Sequence, residues 1–202
     1  PQVMAVIEKQ TVPDRSKVRL SESVKKRVSE GIQFIYNNPS SESFTNAATS
    51  ISDVLMKAIT ENDSIALDIN ALKVSDEYTF KHSVDVATIA MVIAQKAKMT
   101  PEEIHKIGIS GLLHDIGKSQ IPIELLNKTG KLTEEEFSLM KKHSLFGYNI
   151  LKDKKALSPD ITLGVLQHHE KISGNGYPLR LTGPQISTFA RILSVADIYD
   201  AL

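Results

Sequence analysis

The chain has 202 residues, 41% hydrophobic and 24% charged, and its 24 basic side chains balance 24 acidic ones. That length can bury a sizeable core. The even charge balance excludes long nucleic acid as a default partner, because a duplex demands many cations on one face, although a small phosphorylated ligand remains open. With no cysteine, disulfides, thiolate metal sites and cysteine nucleophiles are excluded, and any metal must be held by imidazole and carboxylate.

No run reaches the ~18 apolar residues of a membrane helix and no signal-peptide pattern opens the chain. A cytoplasmic location without a membrane segment is therefore expected. The start at Pro1 without Met reads as a processed or trimmed chain. Residues 1–13 read as an extended arm. From Asp14 the pattern turns helical, with Val24, Val28, Ile32 and Ile35 on one stripe. NNPSSES (37–43) breaks the chain, and Phe44, Ala48, Ile51, Leu55 and Ile59 lay down a second stripe. ENDS (61–64) and NALKVS (70–75) are further punctuation, with a boundary near residue 72. Residues 1–72 are expected to form an N-terminal helical linker or regulatory segment, and 73–202 the unit that carries the chemistry.

Beyond that boundary Ser75 can cap a helix running to about Met99. Thr100, Pro101 and Glu103 spell a helix start, with the helix expected to reach Gly117. TEEE (133–136) starts another through about Leu151, SPD (158–160) a third ending near Glu170, and FARILSVADIYDAL (189–202) a last one. GNGYP (174–178) must be loop. No series of alternating strands is present, so the fold class is all-α.

Taken singly, most of the six histidines are unremarkable. His82 sits mid-helix, His105 looks solvated among charges, and His143 lies between Lys142 and Ser144. Asp197 is less so, since it interrupts an apolar run and a buried carboxylate is costly without a partner or cation. His114–Asp115 and His168–His169 each fall at or near the end of an apolar helix. Together, His82, His114, Asp115, His143, His168, His169 and Asp197 supply seven side chains from five expected helices. That set suits Mn, Fe, Co, Ni or Zn and exceeds what one ion with open positions needs. Two ions sharing a carboxylate use them all, and ions ~3.5–4 Å apart can acidify a water between them and stabilise charge on a phosphate. Lys118, one turn after His114, would pair with a phosphate oxygen. Its plainer role is a cation favoured by a helix C-terminus.

HDIGK (114–118), HHEKISGNGYP (168–178) and ARILSVADIYDAL (190–202) closely resemble the HD-GYP domain, a subset of the HD phosphohydrolases. DEYTFKHS (76–83), IPIELLNKTGKLTEEEF (121–137) and KKHSLFGYNIL (141–151) match it in order and spacing. The resemblance covers about residues 73–202 and implies a helical bundle of HD-domain type around two or three metals, often iron or manganese. It further implies hydrolysis of cyclic di-GMP to linear pGpG, in some members on to GMP. Carried over, Asp115 bridges two metals, His82, His114 and Asp197 complete one site, and His143, His168 and His169 the other. Lys118 contacts the scissile phosphate. Gly176, Tyr177 and Pro178 form the substrate-bordering loop, which is linked to contacts with diguanylate cyclase (GGDEF) domains.

Two departures qualify this. Three-metal members carry Glu four residues before the histidine matched by His82, where this chain has Tyr78. Glu77 is adjacent, but a one-residue shift rotates a helical side chain by roughly 100°. Two metals and a pGpG product are therefore expected. The family also continues past the position of Leu202 into a basic stretch, so the domain is expected to be cut short here. Rival functions are a one-metal HD nucleotide hydrolase, a hydrolase of another cyclic dinucleotide such as cyclic GMP-AMP, and a non-catalytic cyclic di-GMP sensor or cyclase-docking module. The oligomeric state is open, a homodimer included.

Overall fold

The computed structural model describes residues 22–39, 41, 43–60 and 78–202. Among them the chain forms helices α1 (Glu22–Asn37), α2 (Ser43–Thr60), α3 (Tyr78–Lys96), α4 (Pro101–Leu113), α5 (Ile123–Leu126), α6 (Glu134–Met140), α7 (His143–Leu151), α8 (Pro159–Gln167) and α9 (Thr188–Asp200). Short 3-10 turns lie at Ile116–Gln120 and Gly183–Gln185, and among the described residues no strand forms beyond one isolated bridge between Ser173 and Thr182. The all-α expectation holds. The arm at 1–13, the punctuation at 61–64 and 70–75, and the Ser75 cap lie outside the described residues.

The first two stripes face inward: Val28, Ile32 and Ile35 of α1, and Phe44, Ala48, Ile51, Leu55 and Ile59 of α2, are all buried. Each large apolar side chain buried contributes about 1.5–3 kcal/mol, so packing, more than intrinsic propensity, holds these helices in place. One core cluster extends from Val28 and Phe44 through Met91, Ile107, Leu112 and Val165 to Leu193 and Ala196. Helix α4 lies at its centre against α2, α3 and α8, and α9 closes the bundle over α3 and α8.

Helix starts were legible. Thr100 and Glu103 form the expected reciprocal cap on α4, and Thr133 and Glu136 form another on α6. Helix ends differ from expectation. Helix α4 stops at Leu113 rather than reaching Gly117, and Asp115 (φ −100°, ψ 6°) leads into the tighter turn at Ile116–Gln120. The physical cause is Gly117, whose backbone packs so closely on α7 that a Cβ there would collide with the His143 carbonyl and the Gly147 nitrogen. The helix expected from Thr133 through Leu151 is two helices, α6 and α7, broken at Lys141–Lys142, and α8 ends at Gln167, short of Glu170.

Candidate metal centre

Those helix ends place the histidines. The final carbonyls of a helix have no intrahelical donor, and three imidazoles use them. Nδ1 of His114 lies 2.7 Å from the Gly111 carbonyl, that of His143 2.8 Å from Met140, and that of His168 2.7 Å from Val165. A carbonyl only accepts, so each Nδ1 carries the proton and each Nε2 presents a bare lone pair. His82 follows the same logic with a different acceptor: its Nδ1 is 2.7 Å from Oδ2 of Asp200. The four Nε2 atoms then converge. The His82 and His114 rings lie 5.1 Å apart, His114 and His168 5.1 Å, and His143 and His168 5.3 Å.

Asp115 sits between two groups. Its Oδ2 is 3.8 Å from His82 Nε2 and 3.4 Å from His114 Nε2, while its Oδ1 is 3.4 Å from His143 Nε2. Each carboxylate oxygen thus faces a different histidine group. Asp197 does likewise: Oδ1 is 3.2 Å from His82 Nε2 and Oδ2 is 3.9 Å from His169 Nδ1. Two sets, His82–His114–Asp115 and His143–His168–His169, bring one ligand atom per residue within 4.8 Å of one another. All seven residues singled out from sequence therefore meet in one place. Asp197 faces both sets, where the sequence reading gave it to one.

These residues fit divalent cations. His114 Nε2 is buried without a hydrogen-bond partner, a costly state for a polar atom. His143 and His168 bring their Nε2 atoms to 3.2 Å, where two neutral imidazoles with protonated Nδ1 would oppose lone pair to lone pair. A cation between such acceptors resolves both problems. Burial disfavours the charge on Asp115, yet the groups around it, the Lys118 ammonium among them, outweigh it and hold the carboxyl well below its usual range. Burial and neighbouring imidazoles push His168 well below the ordinary histidine value and His169 down to about 4, and burial lowers His143. For His82 burial again opposes protonation, but Asp197, Asp200 and Asp115 outweigh it and raise the value. Asp197 is likewise held below its usual range, burial being outweighed chiefly by His82, so both carboxylates are ionised, and the second histidine set is neutral, as metal ligands must be.

The cluster is sealed below and open above. His114, Asp115 and His143 are buried, whereas the side chains of Asp197 and His169 are 17% and 27% exposed and that of Lys118 33%. Lys118 does not continue an α-helix. The 3-10 turn folds its Nζ to 2.5 Å from Asp115 Oδ2. The 174–178 loop forms one rim: the Tyr177 ring lies 4.6 Å from that of His169, and the Tyr177 N–H donates to the His169 carbonyl at 3.2 Å. Gly176 is buried against the Glu170 backbone, where a Cβ would overlap Cα, and Pro178 follows a cis bond. Outside this rim lies a cleft of about 600 Å³ containing Lys141, Lys142, Lys171 and Arg180. On the other side a cleft of about 470 Å³ descends to His82, Asp115 and Lys118.

Sequence reasoning missed three residues. Asp200 follows Asp197 by three and shares its helix face, so D-x-x-D after an apolar run was the available signal. Glu170 is buried and accepts from the Leu179 and Leu181 N–H groups at 2.6 and 2.9 Å, anchoring the loop; its signal was an acid directly after His168–His169. Tyr36, whose hydroxyl meets Ser83 Oγ at 2.8 Å, carried none. His105 stays apart, half-buried with Nδ1 3.3 Å from Asp53.

A model of the HD domain matches residues 66–202. The chain is 39% identical over 158 residues to a cyclic di-GMP phosphodiesterase of Pseudomonas aeruginosa, covering 78% of this chain and 38% of that protein. It is 34% identical to the cyclic di-GMP phosphodiesterase response regulator RpfG of Xanthomonas campestris, covering 80% and 44%. It is 32% identical to 3′3′-cGAMP-specific phosphodiesterase 1 of Vibrio cholerae, covering 66% and 31%. The chain thus spans less than half the length of each relative. In structure it superposes on Bd1817, an HDG“Y”P protein of Bdellovibrio bacteriovorus, with a TM-score of 0.72 at 23% identity, covering 98% of this chain and 65% of that one. Among the described residues no helix is long and apolar enough to cross a membrane.

Proposed function

Because the chain belongs to the HD domain family, in its HD-GYP branch, we propose that it is a metal-dependent phosphodiesterase that opens cyclic di-GMP to linear pGpG. One observation carries the reading: a buried, ionised Asp115 turns one oxygen to each of two imidazole groups, whose free nitrogens converge on it. His82, His114, Asp115 and Asp197 would hold one ion, and His143, His168, His169 and the other oxygen of Asp115 a second. When bound, two such ions polarise a phosphodiester and lower the pKa of a water held with them. Iron or manganese suits the mixed imidazole–carboxylate set. Tyr78 at the position of the additional glutamate favours two ions over three, and hence a product that stops at pGpG.

The remaining work falls to the chain. Lys118 lies at the mouth with its ammonium beside Asp115, placed to neutralise a phosphate oxygen as charge accumulates on it. Asp115 remains ionised through this and gives up no proton. Tyr177 covers His169 and narrows the mouth, orienting the diester against Lys118, and the departing 3′ oxygen takes its proton from solvent on the open side. A 3′3′-cyclic GMP-AMP substrate is the second reading, favoured by the Vibrio relative's stated specificity. The same loop surface is where a GGDEF domain would dock.

Protein loaded with ferrous iron or manganese should convert cyclic di-GMP to pGpG, with products separated by chromatography, and the His114→Ala/Asp115→Ala double variant should not. Equal turnover by that variant would sink the assignment. Tight cyclic di-GMP binding without turnover by the metal-loaded protein would identify a sensor instead.

A further inference from the structure

Helix α1 belongs to the segment read as linker, yet it reaches the site. Its C-terminal residues Tyr36 and Asn37 line the same cleft as His82, Asp115 and Lys118, together with Ile123, Leu126, Asn127 and Met140. Ile123, Leu126 and Met140 make part of that lining apolar, and Ile123 is 60% exposed in a cleft that reaches a charged centre, an odd place for an unpacked large side chain. At the edges stand Asn37 and Asn127, both exposed, whose carboxamides make no hydrogen bond among the described residues. The end of α1 is tied to the site: the Tyr36 hydroxyl meets Ser83 Oγ at 2.8 Å, one residue from His82, and Ile35 beside it is fully buried.

Flat apolar surfaces with a few polar groups at the rim are what a planar heteroaromatic ligand requires. Carboxamides offer both donors and acceptors to a purine edge, and aromatic or apolar faces accept the ring by stacking. We propose that this cleft is the purine subsite, with Asn37 of α1 and Asn127 after α5 as the residues that hydrogen-bond the base of the nucleotide whose phosphate lies over Asp115 and Lys118. This rests on the cyclic dinucleotide reading for its substrate, though base binding can be measured without it. The N-terminal segment then contributes to substrate selection as well as to the core.

The test uses the full chain, loaded with manganese, as wild type, Asn37→Ala, Asn127→Ala and the double variant. Values of kcat/KM are measured for cyclic di-GMP, 3′3′-cyclic GMP-AMP and bis(p-nitrophenyl) phosphate, a diester without a base. The ratio of dinucleotide to baseless diester should fall about tenfold or more in the double variant, equivalent to about 1.4 kcal/mol, with the loss mainly in KM. A ratio within twofold of wild type would overturn the subsite. Should wild type cleave the baseless diester but neither dinucleotide, the substrate reading fails by itself. GMP affinity, followed by thermal shift, then decides the subsite: tenfold weakening in the double variant supports it, and unchanged affinity refutes it.

Discussion

The two halves of the centre are built from the same residue types but differ in character. Around His82 and His114 gather three carboxylates, Asp115, Asp197 and Asp200, and the balance of charge raises His82. Around His143, His168 and His169 imidazoles and backbone carbonyls predominate, with one oxygen each of Asp115 and Asp197 reaching in, and burial pushes the histidines down. The first half is a charged cradle in which a cation would compete with protons. The second is a more neutral one, whose imidazoles are already deprotonated at neutral pH. The acceptor behind the other ring nitrogen is a backbone carbonyl for His114, His143 and His168, and a carboxylate, that of Asp200, for His82.

Removing the shared element should have the largest effect. Asp115→Asn keeps the shape but discards the charge common to both halves, and turnover of the metal-loaded protein should drop by on the order of 10³-fold, with both ions lost in elemental analysis. If Asp115→Asn binds two ions normally, the halves do not share it. His168→Ala strikes one half only. It should leave about one ion per chain, retained around His82, because its carboxylates are untouched. Loss of both ions would show the halves to be interdependent.

Asp200→Asn sharpens the contrast further. The amide can still meet Nδ1 of His82 but without full charge, so metal affinity in that half should weaken about 10–100-fold by competition with a chelator, while the second half is unaffected. Rescue by Asp200→Glu would separate positioning from a mere packing role. The smallest effect is in pH. In metal-free protein His143, His168 and His169 have folded pKa values below the unfolded one, so as pH falls from about 6.5 towards 4 the unfolded chain binds protons that the folded chain refuses. Stability from these groups is present above that window and is lost as pH falls through it. His82 acts oppositely, contributing below the unfolded value and losing this as pH rises through its folded one. The urea midpoint of the metal-free protein should therefore decline on acidification. His168→Asn should flatten that decline.

Much of this was legible from residues alone because the signals are local. Stripes at helical spacing put Ile32 and Leu55 in the core, and Thr100 and Thr133 announced helix starts through caps formed by residues three positions away. Asp115 and the histidines stood out because polar side chains at the ends of apolar helices need a reason. Helix ends were misjudged because their cause is remote: α4 stops where Gly117 meets α7, and α6 breaks from α7 at Lys141–Lys142, leaving the Met140 carbonyl for His143. Gly117 is the one hint within the first segment, and what it packs against is visible only in the fold; the second break has no marker of its own.

The amino-acid order by itself determined the helical class, the apolar faces and the inventory of candidate ligands, since these follow from periodicity and from having imidazoles and carboxylates but no thiols. Only the tertiary structure decided which nitrogen each histidine turns inward, that Asp197 faces both halves, that Asp200 stands behind His82, and that α1 lines the site. Those facts depend on contacts between residues far apart in the chain, 118 positions for His82 and Asp200, and such contacts are selected by packing of the whole bundle, which no local pattern encodes.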